Sequence, residues 1–325
     1  MDSVNLAILG LGGIAGQMAE AAGLNPGVRA WAAASRDKEK AEMFAKKYGF
    51  SRAYGSYEEM LADEQVDLVY IAVPHAFHYP YAKMCLEAGK NIIVEKPFTA
   101  NRKEAKEIIK MAEEKKLLAV EGLWMRYLPM AATLKELCDS DIIGRIQMFS
   151  GEIGYHLTQQ RLFVSELGGG ALLDVGVYLL ALAGMIFGYD VEGIHSDAAL
   201  TSRGVDERNS FILRYRNGQM AALSSSMVYM SDGRGTVWGE KGYLEIQNTN
   251  RLERITVWGL GKKMIACYDA PECKNRYEYE LQSVVEALRE GRIDTKEIPH
   301  GEIVKRLEIM DTLRRQWNMS FPFET

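Results

Sequence analysis

Cysteine is scarce. Four residues in 325, Cys85, Cys138, Cys267 and Cys273, form no C-x-x-C pair. That excludes a disulfide scaffold and leaves reduced, mostly buried thiols. No set of His, Cys and acidic residues has metal-ligand spacing, so no metal is expected. No run approaches roughly 18 uninterrupted apolar residues, so no membrane span is expected. An excess of positive charge is also missing: 39 Lys and Arg face 44 Asp and Glu, a formal charge of -5. A nucleic-acid partner would call for a basic face. The start, Met1-Asp2-Ser3-Val4-Asn5, lacks the basic and apolar regions of a signal peptide, and a cytoplasmic location is expected. Ser165, Ser224, Ser225 and Ser226 lack the context of a nucleophile elbow.

What is present is ordinary for a globular protein: 47% apolar and 26% charged residues over a length that suggests two domains. Over the first 120 or so residues, short apolar runs alternate with helical patterns. Strands are expected at 4–9, 28–34, 66–73, 91–94 and 117–120. Helices are expected at 14–22, 37–48, 78–88 and from Asn101, with Glu104 completing a capping box, to about Lys116. Such alternation implies an α/β fold with a doubly wound parallel sheet over a first domain at 1–122. After Gly122 the texture changes. Helices are expected at 129–138, 171–187, 277–289 and 301–317. Strand-like runs at 146–154, 210–215, 219–230, 235–238, 243–247, 254–258 and 263–267 are joined by tight turns such as Asn217-Gly218. The expectation for 123–325 is therefore an α/β domain with a mostly antiparallel sheet.

Gly10-Leu11-Gly12-Gly13-Ile14-Ala15 follows the first strand and opens the first helix, a G-x-G-x-x-A pattern. Glycines permit the tight turn and the close approach of a pyrophosphate to a helix N-terminus. The pattern is weak alone, but its place between strand and helix favours dinucleotide binding over a merely tight turn. An NAD-preferring site carries an acid after the second strand. Here Ser35 stands in that place, and Arg36 is suited to pair with a 2′-phosphate. The reading favours NADP(H). NAD(H) remains the alternative if Asp37 is the ribose acid one or two positions late.

Glu95-Lys96-Pro97 ends the fourth strand, where ligands of open α/β sheets bind. On the tripeptide alone, an exposed lysine before a helix-initiating proline is the simpler reading. The wider pattern resembles the glucose–fructose oxidoreductase / inositol dehydrogenase / MocA family over nearly the whole chain. The resemblance is carried by the glycine turn, Ala34-Ser35-Arg36, Val73-Pro74 with His78 beyond, and Ala88-Gly89-Lys90 running into Glu95-Lys96-Pro97. It implies a Rossmann domain followed by a domain with a large open sheet, a catalytic Lys96, and a cis Lys96–Pro97 bond. It also implies cofactor contacts from Gly10, Gly12, Gly13, Ile14, Ser35, Arg36, Pro74, His78, Glu95 and Lys96. His75 stands where the family commonly has an asparagine.

A second stretch runs from Arg161-Leu162-Phe163 through Gly168-Gly169-Gly170 to Asp174 and Tyr178. Asp174 and Tyr178, four apart, share a helix face. Inositol dehydrogenase-like members carry Asp-x-x-x-His here; Tyr178 instead resembles the dimeric dihydrodiol dehydrogenase-like subgroup, as does Glu121 to Pro129. That resemblance implies that Tyr178 exchanges the proton, supported by Asp174 and Lys96, while hydride passes to or from the nicotinamide. A phenol ordinarily ionises near about pH 10, and an adjacent ammonium draws it downward.

Trp124, Arg126, His156 and Arg161 are candidate substrate contacts. Core packing for Trp124, a surface ion pair for Arg126 and a solvated loop for His156 are the competing explanations. The expected function is NADP(H)-dependent oxidoreduction of a sugar, polyol or cyclic diol, a small polar substrate. The rivals are an NAD-dependent inositol-type dehydrogenase and a non-catalytic dinucleotide-binding regulator. The family often forms homodimers through the C-terminal sheet, and one is expected here.

Overall fold

The computed structural model describes residues 3 to 324 and places them in two compact units. The first comprises the chain up to Tyr127 together with Cys273–Val304. Its elements are β1 (Val4–Leu9), α1 (Gly13–Leu24), β2 (Val28–Ala34), α2 (Lys38–Tyr48), β3 (Arg52–Tyr54), α3 (Tyr57–Leu61), β4 (Leu68–Ile71), α4 (His78–Glu87), β5 (Asn91–Glu95), α5 (Arg102–Lys115) and β6 (Ala119–Gly122). The sheet order is β3-β2-β1-β4-β5-β6, all parallel. This is the doubly wound order that reverses between β1 and β4, and ligands bind outside the strand ends at such a reversal. The strands read as near-continuous apolar runs because helices cover both sheet faces. Leu6, Ile8, Leu68, Ile71, Ile92 and Val94 are fully buried. The local stops follow the sequence. Asp37, Ser56 and Asn101 cap α2, α3 and α5 through their side chains, and Gly49 ends α2 in the left-handed region. The short β3 and α3 carry too few residues for a periodic signal, and neither was expected.

The second unit spans Leu128–Glu272 and the chain from Lys305 onward. It holds α6 (Pro129–Asp139), β7 (Ile146–Gly154), α7 (Val177–Phe187), β8 (Val191–Leu200), β9 (Asp206–Tyr215), β10 (Met220–Ser226), β11 (Gly235–Gly239), β12 (Gly242–Gln247), β13 (Arg254–Gly259) and β14 (Met264–Asp269). Eight strands pair in the order β14-β13-β12-β11-β7-β10-β9-β8, antiparallel except for β7 with β10. The sequence reading had no β8, because this edge strand alternates only between half-buried and exposed residues. Residues 165–187 are long and apolar enough by composition to cross a membrane, but 78% of that apolar window is buried in the protein. Every residue from Val177 to Gly184 is buried, as in a core helix.

The remaining helices, α8 (Tyr277–Arg289) and α9 (His300–Gln316), follow. The sequence reading put all of 123–325 in one domain, whereas Cys273–Val304 returns to the first unit. There α8 packs on α1, and Asn275 Nδ2 donates to the Gln17 carbonyl at 2.8 Å. An amphipathic pattern shows that α8 has an apolar face but not which surface covers it.

Candidate active site

The strand ends of the first sheet assemble one set of candidate residues. Gly10 follows β1 with φ +90, and a Cβ there would lie 2.7 Å from the Ala72 carbonyl oxygen. Only glycine fits. Gly12 caps α1 without a side-chain hydrogen bond, and α1 has no acid in its first turn. Among the described residues, a Cβ placed on Gly12 or Gly13 would meet nothing within 4 Å. Uncapped amides, a favourable helix dipole and open approach suit a pyrophosphate. Ile14 stands beside them, 36% exposed. A dinucleotide therefore fits this cradle.

After β2, Ser35 is buried and its Oγ accepts from the Asp37 amide at 3.2 Å. Asp37 Oδ1 accepts from the Lys40 amide at 3.2 Å as the cap of α2. The acid nearest the ribose position thus already serves the helix. Arg36, between them, is exposed.

After β4 and β5 the chain is closely braced. The Lys96–Pro97 bond is cis. Glu95 Oε2 accepts from the Lys96 amide at 3.2 Å, and Glu121 Oε1 accepts from the Phe98 amide at 3.0 Å. Tyr70 donates its hydroxyl to Glu95 Oε1. His78, expected to touch the cofactor, is instead fully buried: Nδ1 lies 2.8 Å from the Pro97 carbonyl and Nε2 2.9 Å from that of Val73. Its ring ties the β4 turn, with half-buried Pro74, to the β5 turn, and buried His75 meets it edge-on at 5.4 Å. Lys96 itself is half-buried. This bracing fixes the turn from which the lysine side chain projects.

Behind the turn is a buried acidic group that the sequence reading missed. Glu95, Glu121 and Glu280 of α8 are buried together; Glu280 Oε1 would stand 3.4 Å from a Cβ on Gly122, which pairs with Glu95. Burial, with the Glu95 and Glu121 charges, pushes the Glu280 carboxyl well above the usual carboxylate range. Burial and Glu95 likewise raise Tyr70. The available signal was a glutamate within an otherwise apolar strand end.

Two expected substrate contacts have other work in this unit. Trp124 is buried against Tyr277, with ring centroids 5.9 Å apart. Arg126 pairs with Glu302 at 2.6 Å and donates to the Glu297 carbonyl, its side chain only 8% exposed. Both hold the Cys273–Val304 segment in place, so neither supports the substrate role that the sequence suggested.

The second unit carries the other set. His156 and Arg161 are exposed in the stretch after β7. Gly169 is required, since a Cβ would lie 2.3 Å from the Leu162 carbonyl oxygen. Residues Leu172–Gly176 form a π-helix rather than the α-helical start expected, and π-turns recur at functional sites. Half-buried Asp174 sits within it, its amide donating to the Gly170 carbonyl at 3.1 Å. Tyr178, 5% exposed, is the second residue of α7. A carboxylate and a phenol are thus presented one turn apart. Among the described residues, no group of three or more His, Cys, Asp or Glu is placed to hold a metal ion.

Residues 4–123 match the model of an oxidoreductase family with an NAD-binding Rossmann fold, and residues 131–245 match the GFO/IDH/MocA C-terminal domain. The chain is 31% identical over 302 residues to a trans-1,2-dihydrobenzene-1,2-diol dehydrogenase of Xenopus tropicalis, covering 90% of each. The human protein of that name is 29% identical over 298 residues, covering 90% of this chain and 89% of its own. Among solved structures, a 3-ketoreductase from Actinomadura kijaniata in complex with NADP and TDP-benzene superposes with a TM-score of 0.89. It is 23% identical, with 96% of this chain and 97% of that one covered. An aldose-aldose oxidoreductase from Caulobacter crescentus gives a TM-score of 0.87 at 24% identity, with 96% and 97% covered.

Proposed function

The chain belongs to the GFO/IDH/MocA oxidoreductase family, and from that membership we propose an NADP(H)-dependent dehydrogenase or reductase of a sugar, polyol or cyclic diol, with Lys96 and Tyr178 handling the proton. As a member it is an NAD(P)-dependent enzyme acting on CH–OH groups. The single observation that carries the finer reading is the Lys96–Pro97 turn, which three buried side chains hold by its peptide groups. Bracing the turn limits the backbone freedom of Lys96, whose ammonium is suited to polarise an oxygen.

The bound nicotinamide supplies the hydride acceptor or donor. The glycine turn after β1 receives the pyrophosphate through backbone amides. Ser35 offers no carboxylate, and Asp37 is engaged by the Lys40 amide, so the exposed Arg36 guanidinium is left to meet a 2′-phosphate. Tyr178 takes the proton from the substrate hydroxyl in oxidation and returns it to the carbonyl oxygen in reduction. Asp174, one turn earlier, orients it. The substrate class follows the relatives, whose names span a cyclic diol and sugars.

We also propose a homodimer through the outer face of the second sheet. Cross-strand pairing lines up Met264, Trp258, Tyr243, Trp238, Met148 and Met220 across six strands. Such a continuous apolar row is more than scattered surface hydrophobics require.

The deciding experiment follows nicotinamide absorbance over a panel of polyols, aldoses, ketosugars and cyclic diols with both cofactors. Turnover with NADPH or NADP is expected on at least one class. Tight cofactor binding without turnover on any would favour a non-catalytic regulator.

A further inference from the structure

The turn that presents Asp174 needs an anchor. A π-turn holds one residue more than an α-turn, and its position along the helix decides where the side chains after it point. Beneath it lies Asp206, the first residue of β9 and fully buried. Asp206 Oδ2 accepts from the Leu172 amide at 2.8 Å and from Asn209 Nδ2 at 2.6 Å. Asn209 Oδ1 accepts from Ser225 Oγ of β10 at 3.0 Å. Two glycines let the turn settle onto this network. A Cβ on Gly170 would lie 2.3 Å from Asp206 Oδ1, and one on Gly176 would lie 2.9 Å from Ser225 Oγ. The network therefore meets the turn on both sides of Asp174. Among the described residues Asp206 Oδ1 has no hydrogen-bond partner, a cost in the interior that an apolar core residue would avoid.

We propose that Asp206 is a positioning residue for the reaction: through the Leu172 amide it fixes the π-turn, and with it the directions in which Asp174 and Tyr178 leave the helix. The inference rests on the roles proposed for those two residues. Burial pushes the Asp206 carboxyl up to about 7, against the opposing pull of Asn209, the Leu172 amide, its own amide and the Arg314 charge. Gly170 of the glycine loop and Asn209 of its own strand, which meet it, are uncharged; Arg314, whose charge reaches it from α9, is paired with Asp311 and Glu324; and on its own strand Glu207 and Arg208 pair with each other. An ionised carboxylate accepts more strongly than a neutral one, so the anchor tightens as pH rises through this range.

Asp206→Ala and Asp206→Asn decide the matter. The Asn amide oxygen can still accept from Leu172, whereas Ala leaves that amide without a partner. The alanine variant is expected to lose roughly ten- to a hundredfold in kcat, with the dissociation constant for NADPH unchanged. The asparagine variant should recover most of the loss and should lack the inflection near pH 7 that is expected in wild-type kcat. Hydrogen exchange at residues 172–178 should quicken in the alanine variant while β1 and β4 keep their protection. This readout is independent of turnover, so it survives if Tyr178 proves dispensable. Unchanged kcat and unchanged exchange in a folded alanine variant would overturn the proposal. Should the alanine variant not fold, a wild-type pH profile in Asp206→Asn overturns it equally.

Discussion

At the scale of single residues, the site divides into groups that fix the backbone and groups that act on the substrate or cofactor. The proposed function puts Lys96 and Tyr178 in the second group. Lys96→Ala and Tyr178→Phe are each expected to lower kcat by about a hundredfold or more, the usual scale for a lost acid–base group. Circular dichroism should show both variants folded, and near-wild-type turnover in Tyr178→Phe would shift attention to His156. The proposed function assigns Arg36 to cofactor choice. Losing one charge-assisted contact costs about 1.5–3 kcal/mol, or roughly ten- to a hundredfold in affinity. Arg36→Ala should weaken NADPH by that factor in fluorescence titration and leave NADH nearly unchanged. Equal weakening of both would return Asp37 to consideration, despite its capping bond to Lys40.

At the scale of elements, α8 has the most to tell. It brings Glu280 against the ends of β5 and β6, where neither carboxyl oxygen finds a hydrogen-bond partner among the described residues. Burial therefore favours the protonated form in the folded protein, while in the unfolded chain the carboxyl ionises at about pH 4.3. Below that value both states hold the proton and the group does not alter stability. Above it the unfolded state loses its proton first, so stability falls with rising pH, by up to about 1.4 kcal/mol per unit, until the raised folded value is reached. Glu280→Gln keeps the shape and removes the titration. Denaturant melts between pH 5 and 8 should show a shallower decline for the Gln variant and greater stability at the upper end. Parallel curves would mean that Glu280 is charged in the folded state.

At the scale of the molecule, the outer face of the second sheet bears the clearest expectation. Trp238 is 38% exposed in the middle of its apolar row, with Met264 at one end 56% exposed. A lysine in place of Trp238 would put a charge at the centre of any interface built on that row, where buried unpaired charge is costly. Trp238→Lys should convert a dimer to a monomer in sedimentation velocity without changing the melting profile of the first unit. A wild-type chain that sediments as a monomer at micromolar concentration would remove the dimer proposal.

The sequence by itself determined the alternating elements of the first sheet, because each strand is a short apolar run and most of its helices carry their own start or stop signal. It also determined the glycine turn, where local geometry dictates residue type: only glycine at position 10 clears the Ala72 carbonyl oxygen. The Lys96 strand end was legible only through the family resemblance. Tertiary structure decided what depends on partners distant in sequence. It turned His78 from a cofactor contact into a tie between two carbonyls, and gave Trp124 and Arg126 to the Cys273–Val304 segment. It also made a π-turn of Leu172–Gly176 by setting it over Asp206, 34 residues from the amide that it holds. Periodicity reports which face of an element is apolar; the identity of the surface that covers it is a property of the whole fold.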